Sequence, residues 1–146
     1  MARRLVLISL CLMVATVRAA QPIQFEKAIQ LAGVEGRIDH LSADSAGGRL
    51  FVSALANNTV EVIDWNAGTR IKTLSGLNEP QGVLYVPENK RLYVASGGDG
   101  SVTIFDAASF RMLKTIKLGS DADNIRAGQP NDLGWLRQRK PGSARC

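Results

Sequence analysis

The chain holds one histidine, His40, and two cysteines, Cys11 and Cys146. An imidazole is the side chain whose unperturbed titration lies near neutral pH, so His40 is the ready general base of this sequence. Asp39 precedes it. No Ser-His-Asp order and no glycosidase-like pair of carboxylates is legible around them. Cys11 sits inside an apolar run and Cys146 is the last residue, so neither a disulfide framework nor metal-ligand spacing exists. One histidine without a cysteine cluster argues against zinc. The glycine-rich stretch GGDGS, from Gly97, has no helix after it to receive a phosphate. It reads as a hairpin turn. No catalytic set, metal or cofactor is expected from these residues.

What must position them is a repeat. RLFVSALANNTVEVIDWNAGTRIKTL, from Arg49, aligns without a gap on RLYVASGGDGSVTIFDAASFRMLKTI, from Arg91, at an offset of 42 residues. Arg49 meets Arg91, Leu50 meets Leu92, Val60 meets Val102, Asp64 meets Asp106 and Lys72 meets Lys114. The register runs back to RIDHLSAD over EPQGVLYV and forward to DADNIR. In the second unit the alternation predicts strands at Gln81–Val86, Arg91–Ser96, Ser101–Asp106 and Met112–Leu118. Both faces of each strand carry apolar residues, as in a sheet packed between two others. PENK, GGDG and DAAS supply turns in one unit, and DSAGG, LANN and WNAG in the other. Asp64 and Asp106 recur at the repeat offset, which predicts turn capping in both units. Trp65 answers to Ala107, so it lies outside the repeated pattern and reads as surface or inter-unit filler.

Four antiparallel strands in each unit of forty-odd residues is the pattern of a propeller blade. The expected fold is therefore all-β: a β-propeller fragment of about two four-stranded antiparallel blades of 42 residues, near 37–76 and 79–118, with partial flanking blades. A third blade starts at 121–126, and the segment FEKAIQLAG, within 23–33, resembles a fourth strand. Such a strand, placed first, would close the ring on a last blade. The inner strand of each blade lines a central channel, and ligands bind at the mouth. The equivalent positions are Asp39 and His40, Gln81, and Asp123 and Asn124. One reading makes them a polar ring for a channel ligand, a small molecule or a protein. The other has them cap strand ends or meet channel water.

RLFVSA…NTVEVIDWNAGTRIKTL and RLYVASGGDGSVTIFDAASFRMLKTI resemble the repeats of the YVTN family, the YncE-like group of exported bacterial β-propellers. FVSA and YVAS stand where that family writes its name. The resemblance covers Ile23 to Arg126 and specifies fold far better than activity. It implies an exported ligand- or protein-binding scaffold. Two alternatives are an enzyme of lactonase or quinoprotein-dehydrogenase type and a truncated product without function.

The ends differ from the middle. MARRLVLISLCLMVATVRAA has the charged, apolar and small-residue parts of a secretory signal, residues 1–19, with cleavage expected after Ala19. Its apolar run is too short for a permanent span, so a periplasmic or secreted product without a stable membrane span is expected. Between Ala19 and Arg126 lie ten basic and twelve acidic residues, a net charge near −2, although the whole chain is +5. The positive charge belongs to the ends, which argues against nucleic acid as a partner. Residues 127–146 drop the repeat. Skipping one base lets the codons of PNDLGWLRQRK encode RTIWVGYGSGN, a strand and glycine-rich turn of the missing kind. The tail is thus expected to be irregular and out of frame.

Overall fold

The computed structural model describes residues 22–128. The expected signal sequence lies outside the described residues, as does the tail beyond Gly128. Eight strands form. They are β1 (Leu41–Asp44), β2 (Arg49–Ala54), β3 (Thr59–Asp64) and β4 (Thr69–Leu74), then β5 (Pro80–Val86), β6 (Arg91–Ser96), β7 (Ser101–Asp106) and β8 (Met112–Lys117). They build two antiparallel sheets, in the orders β1-β2-β3-β4 and β5-β6-β7-β8. These are the two expected blades, and the fold is all-β.

The second sheet copies the first in register. Arg49, Leu50 and Phe51 pair with Asp64, Ile63 and Val62 in one, and Arg91, Leu92 and Tyr93 with Asp106, Phe105 and Ile104 in the other. Each outer strand carries an extra residue at the same place. Val62 pairs with Lys72 but Ile63 with Arg70; Ile104 pairs with Lys114 but Phe105 with Met112. Ile71 and Leu113 are therefore bulged out, and such a bulge increases the local twist of the strand. Left-handed backbone recurs too. Gly48 and Lys90, Asn58 and Gly100, Gly68 and Phe110, and Glu79 and Asp121 all have positive φ. The Asp64 carboxylate accepts from the amides of Asn66 and Ala67, and that of Asp106 from the amides of Ala108 and Ser109. Both aspartates cap their turns as the repeat predicts.

The core lies between the sheets. Phe51, Val60, Val62 and Leu74 of the first are buried with Val83, Leu92, Val94 and Phe105 of the second. Burial of apolar area at about 25 cal/mol per Å² makes this interface the main cohesive element. Arg49 crosses it. Its Nε and Nη2 donate to Asp44 Oδ2 at 3.0 and 2.6 Å, and its Nη1 donates to the carbonyl of Ala107. Its guanidinium carbon lies 5.5, 5.9 and 5.8 Å from the ring centres of Phe51, Tyr85 and Phe110.

The two outward faces are treated differently. On the first sheet Val52, Ala54, Ile63 and Glu61 are buried although no blade precedes them among the described residues. The chain before β1 is tied there: Arg70 donates to the carbonyl of Ala32, and Asn57 bonds the carbonyl of Gly33 and the amide of Glu35. Ile29, Leu31 and Val34 are half-buried along this run, while Ile23 and Phe25 are fully exposed. The stretch 23–33 forms no strand here, and its resemblance to an outer strand concerns sequence alone. On the second sheet an apolar groove stays open, lined by Leu84, Val86, Tyr93, Val102, Ile104 and Ile116 with Ile125 at its rim.

Candidate functional site

The inner strands β1 and β5 bring the expected mouth residues into line. Ahead of β1, the Asp39 amide donates to the Ser53 carbonyl at 2.9 Å, and the Ser53 amide donates to the His40 carbonyl at 3.0 Å. The amide of His40 then reaches across to the carbonyl of Gln81 at 3.4 Å. Gln81 lies where the pairing of β5 with β6 shifts, between Pro80 and Val83. A bulge at that point turns the entrance of the strand away from the ladder.

The third unit repeats this joint. A Cβ on Gly82 would stand 2.8 Å from the Asp123 carbonyl oxygen and 3.0 Å from the Ile125 amide nitrogen. Gly82 and Asp123 are the repeat counterparts of His40 and Gln81. Glycine is required because backbone passes directly over it. Ala122 is buried and Asp123 to Ile125 are half-buried. Asp39 and His40 thus stand just before β1, Gln81 lies at the start of β5, and Asp123 and Asn124 lie at the equivalent offset in a stretch that forms no strand among the described residues. Neighbouring entrances touch through their backbones.

Each entrance has its own polar chemistry. Arg37 pairs with Asp39 Oδ2 at 2.8 Å, and His40 Nδ1 lies 3.1 Å from Asp39 Oδ1, shielded from solvent and outside hydrogen-bonding geometry. The Gln81 carboxamide lies over Gly97, where a Cβ would meet its nitrogen at 2.1 Å. The Asp121 carboxylate comes to 3.3 Å of the same point. Beside it, Asp99 on the β6–β7 turn is paired with Lys117 at 2.5 Å and bonded by Ser101. The Lys117 hydrogen bond, with that of Ser101, holds the Asp99 carboxyl below the usual carboxylate range. GGDGS is thus a hairpin turn as predicted, and its aspartate also fixes the outer strand.

One polar residue escaped the sequence reading. Glu61 is buried on the outward face of the first sheet, where it accepts from Thr59, Thr73 and Arg70 at 2.6, 2.6 and 3.2 Å. Its repeat counterpart is Thr103. A carboxylate at a position where the second unit has a hydroxyl was the available signal. Among the described residues, no group of three or more His, Cys, Asp and Glu is placed to hold a metal. Nor is any helix there long and apolar enough to cross a membrane.

No family model and no curated protein matches the chain. Among solved structures it is similar to hydrazine synthase of Kuenenia stuttgartiensis, with a TM-score of 0.56 and 22% identity over 68% of this chain. That protein contains a β-propeller. The two four-stranded antiparallel sheets are those of β-propeller blades. The chain spans 29% of the length of the hydrazine synthase chain, and at this identity the likeness concerns fold alone.

Proposed function

We propose that this chain belongs to an exported propeller of the YVTN type that binds a small molecule or a protein partner at its channel mouth. The observation that carries the reading is the recurrence of polar residues at the 42-residue offset, Asp39–His40 before β1, Gln81 at the start of β5 and Asp123–Asn124 beside Gly82, with neighbouring backbones in contact. The shift in pairing at Gln81 supports it, because bulges beside sites re-aim side chains. Amide and carboxylate groups in such a row suit a polar ligand, which they would orient through hydrogen bonds. The test is a thermal-shift screen of small polar metabolites and of exported proteins, followed by Gln81→Ala and Asn124→Ala. A ligand whose shift survives both substitutions would place binding elsewhere.

Export is supported by the composition of residues 1–19, and it predicts an exported product that begins at Ala20. Retention of Met1 on cytoplasmic protein would overturn it. The out-of-frame reading of residues 127–146 is supported by the loss of the repeat after Arg126. Sequencing the gene beyond the Arg126 codon tests that reading.

A further inference from the structure

The two outer strands share one make-up. β4 carries Arg70, Ile71 and Lys72; β8, with the residue before it, carries Arg111, Met112, Leu113, Lys114 and Lys117. Neither strand holds an acid. These five basic residues are half of the ten between Ala19 and Arg126, a stretch whose net charge is near −2. Arg70 is tied to Glu61 and Lys117 to Asp99. Lys72, Arg111 and Lys114 are exposed and form no ion pair among the described residues. Ile71 and Leu113 occupy the bulge of each strand and are 49% and 39% exposed, with the exposed Met112 beside Leu113. Ile71 is exposed although both faces of its sheet are covered, one by residues 29–35 and the other by the second blade. The exposure thus belongs to the outer edge of a blade, whatever stands next to that blade.

Lysine and a bulge on an edge strand keep it from pairing with another chain. That role does not call for an apolar residue at the bulge. A bulge re-aims side chains, and in both blades the residue it frees is a large aliphatic one followed by a lysine. This pairing suits the boundary between water and a bilayer, where the aliphatic group enters the acyl region and the ammonium meets lipid phosphate. We propose that the outer edges, Ile71–Lys72 and Arg111–Lys114, form a docking surface for a bilayer rich in anionic phospholipid. Each lysine or arginine at such a surface strengthens binding about fivefold, so the three unpaired ones supply roughly a hundredfold. That attraction has to come from these edges, because the rest of the middle of the chain is acidic.

The test is hydrogen exchange of the full chain with vesicles of equal phosphatidylglycerol and phosphatidylcholine. The apolar and basic ends of the chain carry their own attraction to lipid, so the readout is taken within the strands. Exchange should slow several-fold across 69–74 and 112–117, which lie at the edges of their sheets. It should stay unchanged in β1 and β5, and vesicles of phosphatidylcholine alone should have no effect. Lys72→Gln with Lys114→Gln should remove the slowing, and so should Ile71→Thr with Leu113→Thr. Threonine suits a strand, and all four positions are exposed, so both pairs should melt as the unaltered chain does without vesicles. No slowing in the unaltered chain, or slowing that survives either pair, overturns the proposal. If the threonine pair has no effect and dextran sulfate slows the same amides equally, the partner is a soluble polyanion and the proposal fails.

Discussion

Arg49 and Arg91 occupy one repeat position and make different partners. Arg91 pairs with Asp106 on the neighbouring strand, whereas Arg49 pairs with Asp44, because the second blade has Val86 where the first has Asp44. Burial alone would raise the Asp44 carboxyl, but the Arg49 hydrogen bonds, the Gly47 amide and the Arg49 charge bring it below its ordinary value. Arg49→Met leaves that carboxylate buried and unpaired, and should cost about 3 kcal/mol in urea unfolding. Arg49→Lys should recover little, since an ammonium cannot serve Asp44 and the Ala107 carbonyl as a planar fork does. Asp106 gives the pH prediction. The Ser109 amide and hydroxyl, the Ala108 amide and Arg91 lower its pKa to about 2 from 3.8. A depressed folded-state value means that its contribution is present above pH 3.8 and is lost as pH falls through about 2. Between pH 4 and 2 the urea midpoint should therefore fall more for the native chain than for Asp106→Asn. An equal fall in both would remove Asp106 from the account. The two capping aspartates were legible because they recur at a fixed interval. The Arg49 bridge was not, because its partner Asp44 stands where the second unit has Val86 and so does not recur.

At the scale of the strand, left-handed backbone at Lys90 stands where the first blade has Gly48. A side chain in that conformation costs about 1 kcal/mol, and the Lys90 side chain is exposed. Lys90→Gly should therefore stabilise the chain by about 1 kcal/mol in urea, while Gly48→Lys should destabilise it by more, because Asn66 crowds that position. A loss of stability in Lys90→Gly would show that its side chain contributes more than its strain costs. Strand positions were readable because alternation and turn residues agree in both units; three of the four second-unit strands begin where the sequence put them. The bulges at Ile71 and Leu113 were not readable, since an apolar residue fits either face of an alternating run. The 23–33 segment shows the limit from the other side. Its pattern is that of an outer strand, but a strand needs an edge to pair with, and pattern alone does not provide one.

For the whole molecule, cohesion depends on blades touching blades, and among the described residues the third unit is entered by residues 121–126. Gly82→Val should press on the Asp123 carbonyl and the Ile125 amide and unseat that entry. Hydrogen exchange should then accelerate across 122–126 while β2, β3, β6 and β7 keep their protection. Uniform acceleration would mean that the entry and the blades are one cooperative unit. Phe51→Ala, at the junction of the sheets, should cost about 4 kcal/mol and affect both blades together. The blades were legible, since an interval of 42 fixes them. The cover over the first sheet was not, because residues 29–35 read as part of an outer strand yet run along that face without strand pairing. The recurrence of left-handed turns at Gly48 and Lys90 reaches into heredity. Each turn is a splice point with the same geometry on both sides. A recombination event that joins the Gly48 codon to the Arg91 codon, or copies the stretch between, removes or adds one entire unit and leaves every joint intact. Such a gene can change its number of units in single steps, without inventing a new interface.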